Sequence, residues 1–100
     1  MTIGNKNKRF FTSYSGLMLP LKLVGEVSLE ELKNRNTYFE AIYDENSRLI
    51  ICSKIVYGET NMKHQYKYRD NDTLEEAIIS NSGEEEQRLV FDEDGKRHLN

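Results

Sequence analysis

The chain has 100 residues, of which 37% are apolar and 31% charged, with a net charge of −3 and a single cysteine. That length suits one domain over residues 1–100 with a modest core, and one Cys (Cys52) excludes an internal disulfide and fits a reducing, cytoplasmic setting. No run approaches the ~20 apolar residues of a membrane span. Ten of the 17 acidic residues follow Lys67, which disfavours nucleic acid as a partner.

Residues 1–7 are polar and expected to fray, and the polar break at Thr12–Gly16 argues against a secretory leader. Lys8 to Tyr14 is rich in aromatics and Thr and reads as a strand, with Ser15-Gly16 as a turn. Leu17 to Val24 is apolar but contains Pro20, which cannot donate to a ladder, so it reads as an edge strand or an extended arm. Ser28-Leu29-Glu30-Glu31 is a helix start with the makings of a capping box, and Asn34 or Asn36 ends the helix. Thr37 to Tyr43 is aromatic and β-prone. Leu49 to Tyr57 is apolar on both parities, which predicts a central strand covered on both faces. Gly58-Glu59-Thr60-Asn61 reads as a turn. Met62 to Arg69 alternates, with Met62, His64, Tyr66 and Tyr68 on one face. Leu74 to Ser80 reads as another strand, though Glu75, Glu76 and Ala77 would also suit a helix; Asn81-Ser82-Gly83 reads as a loop, and Arg88 to Phe91 with Lys96 to Leu99 as a last hairpin.

One phrase recurs three times, as Tyr43-Asp44-Glu45-Asn46-Ser47-Arg48-Leu49, Tyr68-Arg69-Asp70-Asn71-Asp72-Thr73-Leu74 and Phe91-Asp92-Glu93-Asp94-Gly95-Lys96-Arg97, at intervals of 25 and 23 residues. A period of this size means one supersecondary unit reused. Asn, Asp and Gly tolerate the left-handed backbone of hairpin turns, so the phrase marks three hairpin tips. The middle copy has no Gly, which predicts a turn longer than two residues. The expected fold is mainly β (α+β minor): an antiparallel β-meander of about six to eight strands with one short helix near residues 29–34.

The units at Tyr43-Asp44, Tyr68-Arg69-Asp70 and Phe91-Asp92 resemble tyrosine–aspartate (YD) repeats and YwqK-type hairpin repeats over roughly residues 38–99. That resemblance implies stacked hairpins acting as shells, scaffolds or binding modules. Phe11-Thr12-Ser13-Tyr14-Ser15-Gly16, Leu19-Pro20-Leu21-Lys22-Leu23-Val24, Asn34-Arg35-Asn36-Thr37-Tyr38-Phe39 and Lys54-Ile55-Val56-Tyr57-Gly58-Glu59 resemble a family of small bacterial proteins of unknown function. This second resemblance implies a stand-alone domain and brings no activity.

Candidate chemistry is sparse. His64 shares a strand face with Tyr66 and Tyr68, which suits either a proton-transfer group or a half-buried core histidine, and no nucleophile pairs with it at a recognisable spacing. His98 reads as solvated. Two His, one Cys and the carboxylates lack zinc-type spacing, and Asp92-Glu93-Asp94-Gly95 lacks the downstream Glu of a calcium loop. No metal or cofactor is implied. Cys52, between apolar neighbours, reads as buried and inert, and Glu84-Glu85-Glu86 as a solvated loop. Arg35, in the polar junction Asn34–Thr37, is suited to a carboxylate or phosphate, or to pairing with Glu30, Glu31 or Glu40. The tyrosines suit an interface as well as a core.

The candidate binding surface is therefore Arg35, Tyr38, Tyr57, His64, Tyr66 and Tyr68. The expected role is a non-enzymatic module that binds another protein or itself, as a homo-oligomer. The alternatives are a small-molecule binder or minor enzyme with a pocket lined by His64, Tyr66 and Tyr68 and gated by Arg35, and an acidic inhibitor of a nucleic-acid-binding complex.

Overall fold

The computed structural model of the chain describes residues 8–16, 18–94 and 96. Seven strands, β1 (Lys8–Ser15), β2 (Lys22–Val27), β3 (Thr37–Tyr43), β4 (Leu49–Val56), β5 (Glu59–Tyr68), β6 (Leu74–Asn81) and β7 (Gln87–Val90), accompany one helix, α1 (Leu29–Leu32). They form one antiparallel sheet in the order β2-β1-β3-β4-β5-β6-β7. The fold is the expected mainly β one, with a single short helix among the described residues.

The three-fold phrase is a turn of one geometry. In the first copy the Asp44 N–H donates to the Arg48 carbonyl and the Ser47 N–H to the Asp44 carbonyl, each at 3.0 Å, with Ser47 at φ +64°. Asp44 Oδ1 accepts from the N–H groups of Asn46 and Arg48, at 2.9 Å each. In the second copy Arg69 N–H donates to Thr73 O at 2.8 Å, and Asp72 takes the left-handed position at φ +70°. Arg69 cannot accept, and Asn71 Oδ1 instead receives the Thr73 N–H at 3.2 Å. In the third copy Asp92 N–H donates to Lys96 O at 2.7 Å, and Asp92 Oδ1 accepts from Asp94 and Lys96. A tight turn closed by a left-handed residue leaves one residue unpaired beside it. The register accordingly shifts at Ile42/Tyr43 and again at Lys67/Tyr68. Gly95 and the returning strand expected over Lys96–Leu99 lie outside the described residues but for Lys96, as do residues 1–7, Leu17 and His98.

Three boundaries differ from the sequence reading. The turn expected over Gly58–Asn61 lies one residue earlier: Tyr57 and Gly58 both hold positive φ (+49° and +81°), and Val56 pairs directly with Glu59. That is a two-residue hairpin of the type whose twist matches the flanking strands. It places Glu59–Asn61 in β5 and Tyr57 at the apex rather than in β4. Leu17–Val24 divides: the strand begins at Lys22, and Met18–Leu21 forms a separate arm. The meander proper runs from β3 to β7. β2 and β3 flank β1, both antiparallel to it, so the connection through α1 crosses over β1.

Ser28 caps α1 as expected, accepting the Glu31 N–H at 3.2 Å while the Glu31 carboxylate accepts the Ser28 N–H at 2.9 Å. The helix buries no residue, so the cap supplies local rather than tertiary stability.

The core includes Phe11, Leu21, Phe39, Cys52, Tyr66 and Phe91. β4 holds the middle place, and its consecutive residues Cys52 and Ser53 are both buried, so the sheet is covered on both faces there. In β2, Gly25 holds φ +75°, and a Cβ there would lie 2.2 Å from Thr12 Oγ1. Only glycine lets edge strand β2 sit so close to the Thr12 side chain of β1. Among the described residues, no helix is long and apolar enough to cross a membrane.

Candidate functional site

The antiparallel order sorts the connections onto two ends of the sheet. One end carries the repeated turns at 44–48, 69–73 and 92–96. The other carries the β1–β2 arm, the α1–β3 junction, the Tyr57-Gly58 hairpin and the loop after β6. We call these the tip end and the loop end.

At the tip end, arginines tie each turn to the next. Arg48 bonds Asp44 Oδ2 within its own turn at 2.9 Å, then reaches Asp72 Oδ1 (3.0 Å) and the Arg69 carbonyl (3.4 Å) in the second turn. Arg69 in turn donates from Nη2 to the Phe91 carbonyl at 2.9 Å. The Arg48 guanidinium also lies over the Tyr68 ring at 5.2 Å. Backbone N–H bonds from Arg48 and Asn46, together with the Arg48 side chain, hold the Asp44 carboxyl below its usual range. Bonds from Lys96 and Asp94 do the same for Asp92. The edge has a similar clamp: Arg9 donates two bonds to Glu26 (2.8 and 2.6 Å) and lies over the Phe11 and Tyr43 rings. At the other edge Arg88 pairs with Glu76, beside a cleft of about 100 Å³ lined by Lys67, Glu75, Glu76, Arg88 and Val90. The sequence reading did not single out Arg9, Arg48 or Arg69 as clamps. Arg69 carried the one usable signal, a cation standing where the repeat otherwise has Asp.

The six expected surface residues fall into three groups. His64 (6% exposed) and Tyr66 (5%) are buried in the core, and Tyr68 is half-buried beside them. Their polar tips face protein: Tyr66 Oη lies 2.7 Å from His64 Nδ1 and accepts the Leu21 N–H at 3.1 Å, while Tyr68 Oη donates to the Leu49 carbonyl at 2.6 Å. Burial pushes the Tyr68 hydroxyl up to about 12, the Cys52 thiol up to about 11 and the Tyr66 hydroxyl upward, and it lowers His64 from 6.5. Tyr38, next in sequence to the buried Phe39, turns to the opposite face and packs edge-on against Phe10 at 6.0 Å. Arg35 and Tyr57 form the third group. Tyr57 is 75% exposed, and its N–H donates to the Asn36 carbonyl at 2.7 Å, which brings the hairpin apex against the junction that carries Arg35. Glu31, Asn34 and Arg35 line a shallow recess beside it, and Arg35 helps to lower the Glu31 carboxyl, whose main partner is the Ser28 backbone.

The loop end also gathers exposed apolar side chains that the sequence reading left unweighted. Met18 is 82% exposed and follows β1 at this end, and Tyr14, near the end of the same strand, is partly exposed while its ring packs on Phe39 at 5.6 Å. Nothing in the local sequence marks Met18, because its neighbours Leu19 and Leu21 are just as apolar and face inward.

Residues 4–100 match the model of a family described as a family of unknown function, DUF6156. The match spans the repeated turns and lends no support to kinship with YD or YwqK repeats; the likeness rests on the aromatic and acidic residues of the turns alone. No curated protein and no solved structure matches the chain.

Proposed function

We propose, for a chain that belongs to the DUF6156 family of unknown function, a non-enzymatic role as a protein-binding or self-association module whose contact surface is the loop end of the sheet. The observation that carries this reading is the pair of large apolar side chains left in water there, Met18 and Tyr57, with Arg35 beside Tyr57 and Tyr14 beside the arm. Tyr and Arg dominate the energetics of protein contacts, and Met adapts its shape to a partner. The tip end differs in kind, since Arg48 and the Nη2 of Arg69 are already engaged within the molecule. Binding of a small molecule through His64, Tyr66 and Tyr68 would first require Leu21 to leave the core.

The experiment compares the full chain with the double variant Met18→Ser, Tyr57→Ser by light scattering over a concentration series and by chemical cross-linking in the native host. The expected result is a concentration-dependent assembly, or one discrete cross-linked partner, that weakens at least tenfold in the variant, about 1.4 kcal/mol. A wild type that stays monomeric and gives the same cross-links as the variant would overturn the reading.

A further inference from the structure

The arm Met18–Leu21 lies across the core face. Leu21 is buried and Leu19 packs on the same cluster, while Met18 stays in water. Its polar tie to the sheet is a chain of three groups: the Leu21 N–H donates to Tyr66 Oη, and Tyr66 Oη meets His64 Nδ1. A phenol has one proton to give. With the Leu21 N–H filling one lone pair, an O–H turned toward Nδ1 satisfies the Leu21 N–H, the phenol and Nδ1, and that arrangement requires a neutral imidazole with its proton on Nε2. A proton added at Nδ1 leaves two donors, Nδ1–H and Leu21 N–H, aimed at the same oxygen, and the phenol proton loses its buried acceptor.

We propose that the arm is a proton-gated flap: protonation of His64 breaks the Leu21–Tyr66–His64 chain and lifts Met18–Leu21 off the core face while the sheet stays paired. The lift is local because of what holds each part. β5, which carries His64, is bonded along its length to β4 and β6, whereas among the described residues the arm is held by one hydrogen bond and two leucines. Moving the arm is the smaller opening that lets water reach the imidazole.

The groups around His64 set the direction. On β4, Cys52 stands opposite His64, and Lys54 stands opposite Met62; on β6, Ile79 stands opposite His64 and Asn81 opposite Met62; on β5 itself the neighbour is Tyr66. No carboxylate is among them. The thiol and the phenol stay neutral. His64 therefore binds a proton less readily folded than unfolded, as burial also requires. The unfolded or opened form takes up the proton first as pH falls below about 6.5, so closure of the arm is complete above that value and is lost on acidification. This inference goes beyond the binding role proposed above and does not depend on it.

Amide hydrogen exchange on the full chain, followed by NMR from about pH 7.5 to 5 alongside the His64 ring nitrogen shifts, tests the flap. The expected result is a neutral Nε2–H imidazole at the upper limit. Protection at Leu21 then falls by up to about tenfold per pH unit as His64 titrates, with protection at Ala41, Cys52 and Ala77 unchanged. His64→Asn, whose Oδ1 can accept from the phenol without titrating, is expected to hold the arm closed at both limits. Three results would each overturn the proposal: unchanged Leu21 protection through the titration, loss of protection across β4 and β6 at the same pH, or a His64 that stays neutral until the whole chain unfolds. All three are read on the wild-type chain, whether or not the variant folds.

Discussion

The two ends of the sheet are built on different principles. The tip end uses one turn three times, fills its acceptors with backbone N–H groups, and links the copies through Arg48 and Arg69. The loop end uses four unrelated connections, leaves Met18 and Tyr57 in water, and is joined to the sheet by single long-range bonds such as Leu21 to Tyr66 and Tyr57 to Asn36. The contrast teaches where to look for function. Regularity that ties its turns to one another leaves little for a partner, although Arg69 Nη1 stays buried without a hydrogen bond, whereas irregular connections on a rigid sheet are where binding surfaces usually lie.

The contrast can be broken first in the core just inside the tips. Leu74, which restarts the chain after the second turn, is 5% exposed. Leu74→Ala is expected to cost about 2–5 kcal/mol, a large share of the roughly 5–15 kcal/mol of a small domain, and a urea midpoint measures it. Glycine exchanges come next and should run in opposite directions at the two ends. At the loop end, Gly58→Ala meets no steric neighbour, so its cost is the left-handed backbone alone, about 1 kcal/mol. At the tip end, Ser47→Gly relieves the same conformation at φ +64° and is expected to raise the midpoint by about 0.5 kcal/mol net of glycine's added chain entropy.

Acid separates the ends by pH window. His64, depressed by burial, withdraws stability as pH falls below about 6.5. Asp44 and Asp92, depressed by backbone hydrogen bonds, contribute stability above the ordinary aspartate range and lose it as pH falls through their lower folded values. A denaturation midpoint followed against pH should show the two limbs apart. Asp44→Asn should flatten only the lower one. The smallest effect belongs to Met18→Ser with Tyr57→Ser, which should leave stability within about 0.5 kcal/mol although it removes the proposed contact surface.

Much of the scaffold was legible because it is written locally. The three turns could be read from Asp and Asn at fixed offsets, with a left-handed residue observed at Ser47 and Asp72, and the alternation Met62, His64, Tyr66, Tyr68 placed those side chains on the core face. What escaped depends on pairing at a distance. Nothing near Lys22–Val27 says that β1 separates β2 from β3. Tyr57 looked like the end of an apolar strand because its positive φ is dictated by the two-residue span between Val56 and Glu59. The candidate surface was half legible for the same reason. Tyr character alone does not distinguish Tyr66, whose hydroxyl meets Leu21 45 residues away, from Tyr57 at an open apex.

The bond between Leu21 and Tyr66 has a consequence in time. Each strand of the meander pairs with one close in sequence, and such contacts close early because the loops to be ordered are short. The arm can dock only after β5 exists. It is expected to arrive after the rate-limiting step, so that Tyr66→Phe leaves the refolding rate unchanged and speeds unfolding, a φ-value near zero by stopped-flow. A chain emerging residue by residue would carry the Met18–Leu21 arm undocked until Tyr66 is made, and through that interval Leu19 and Leu21 are what a chaperone would meet.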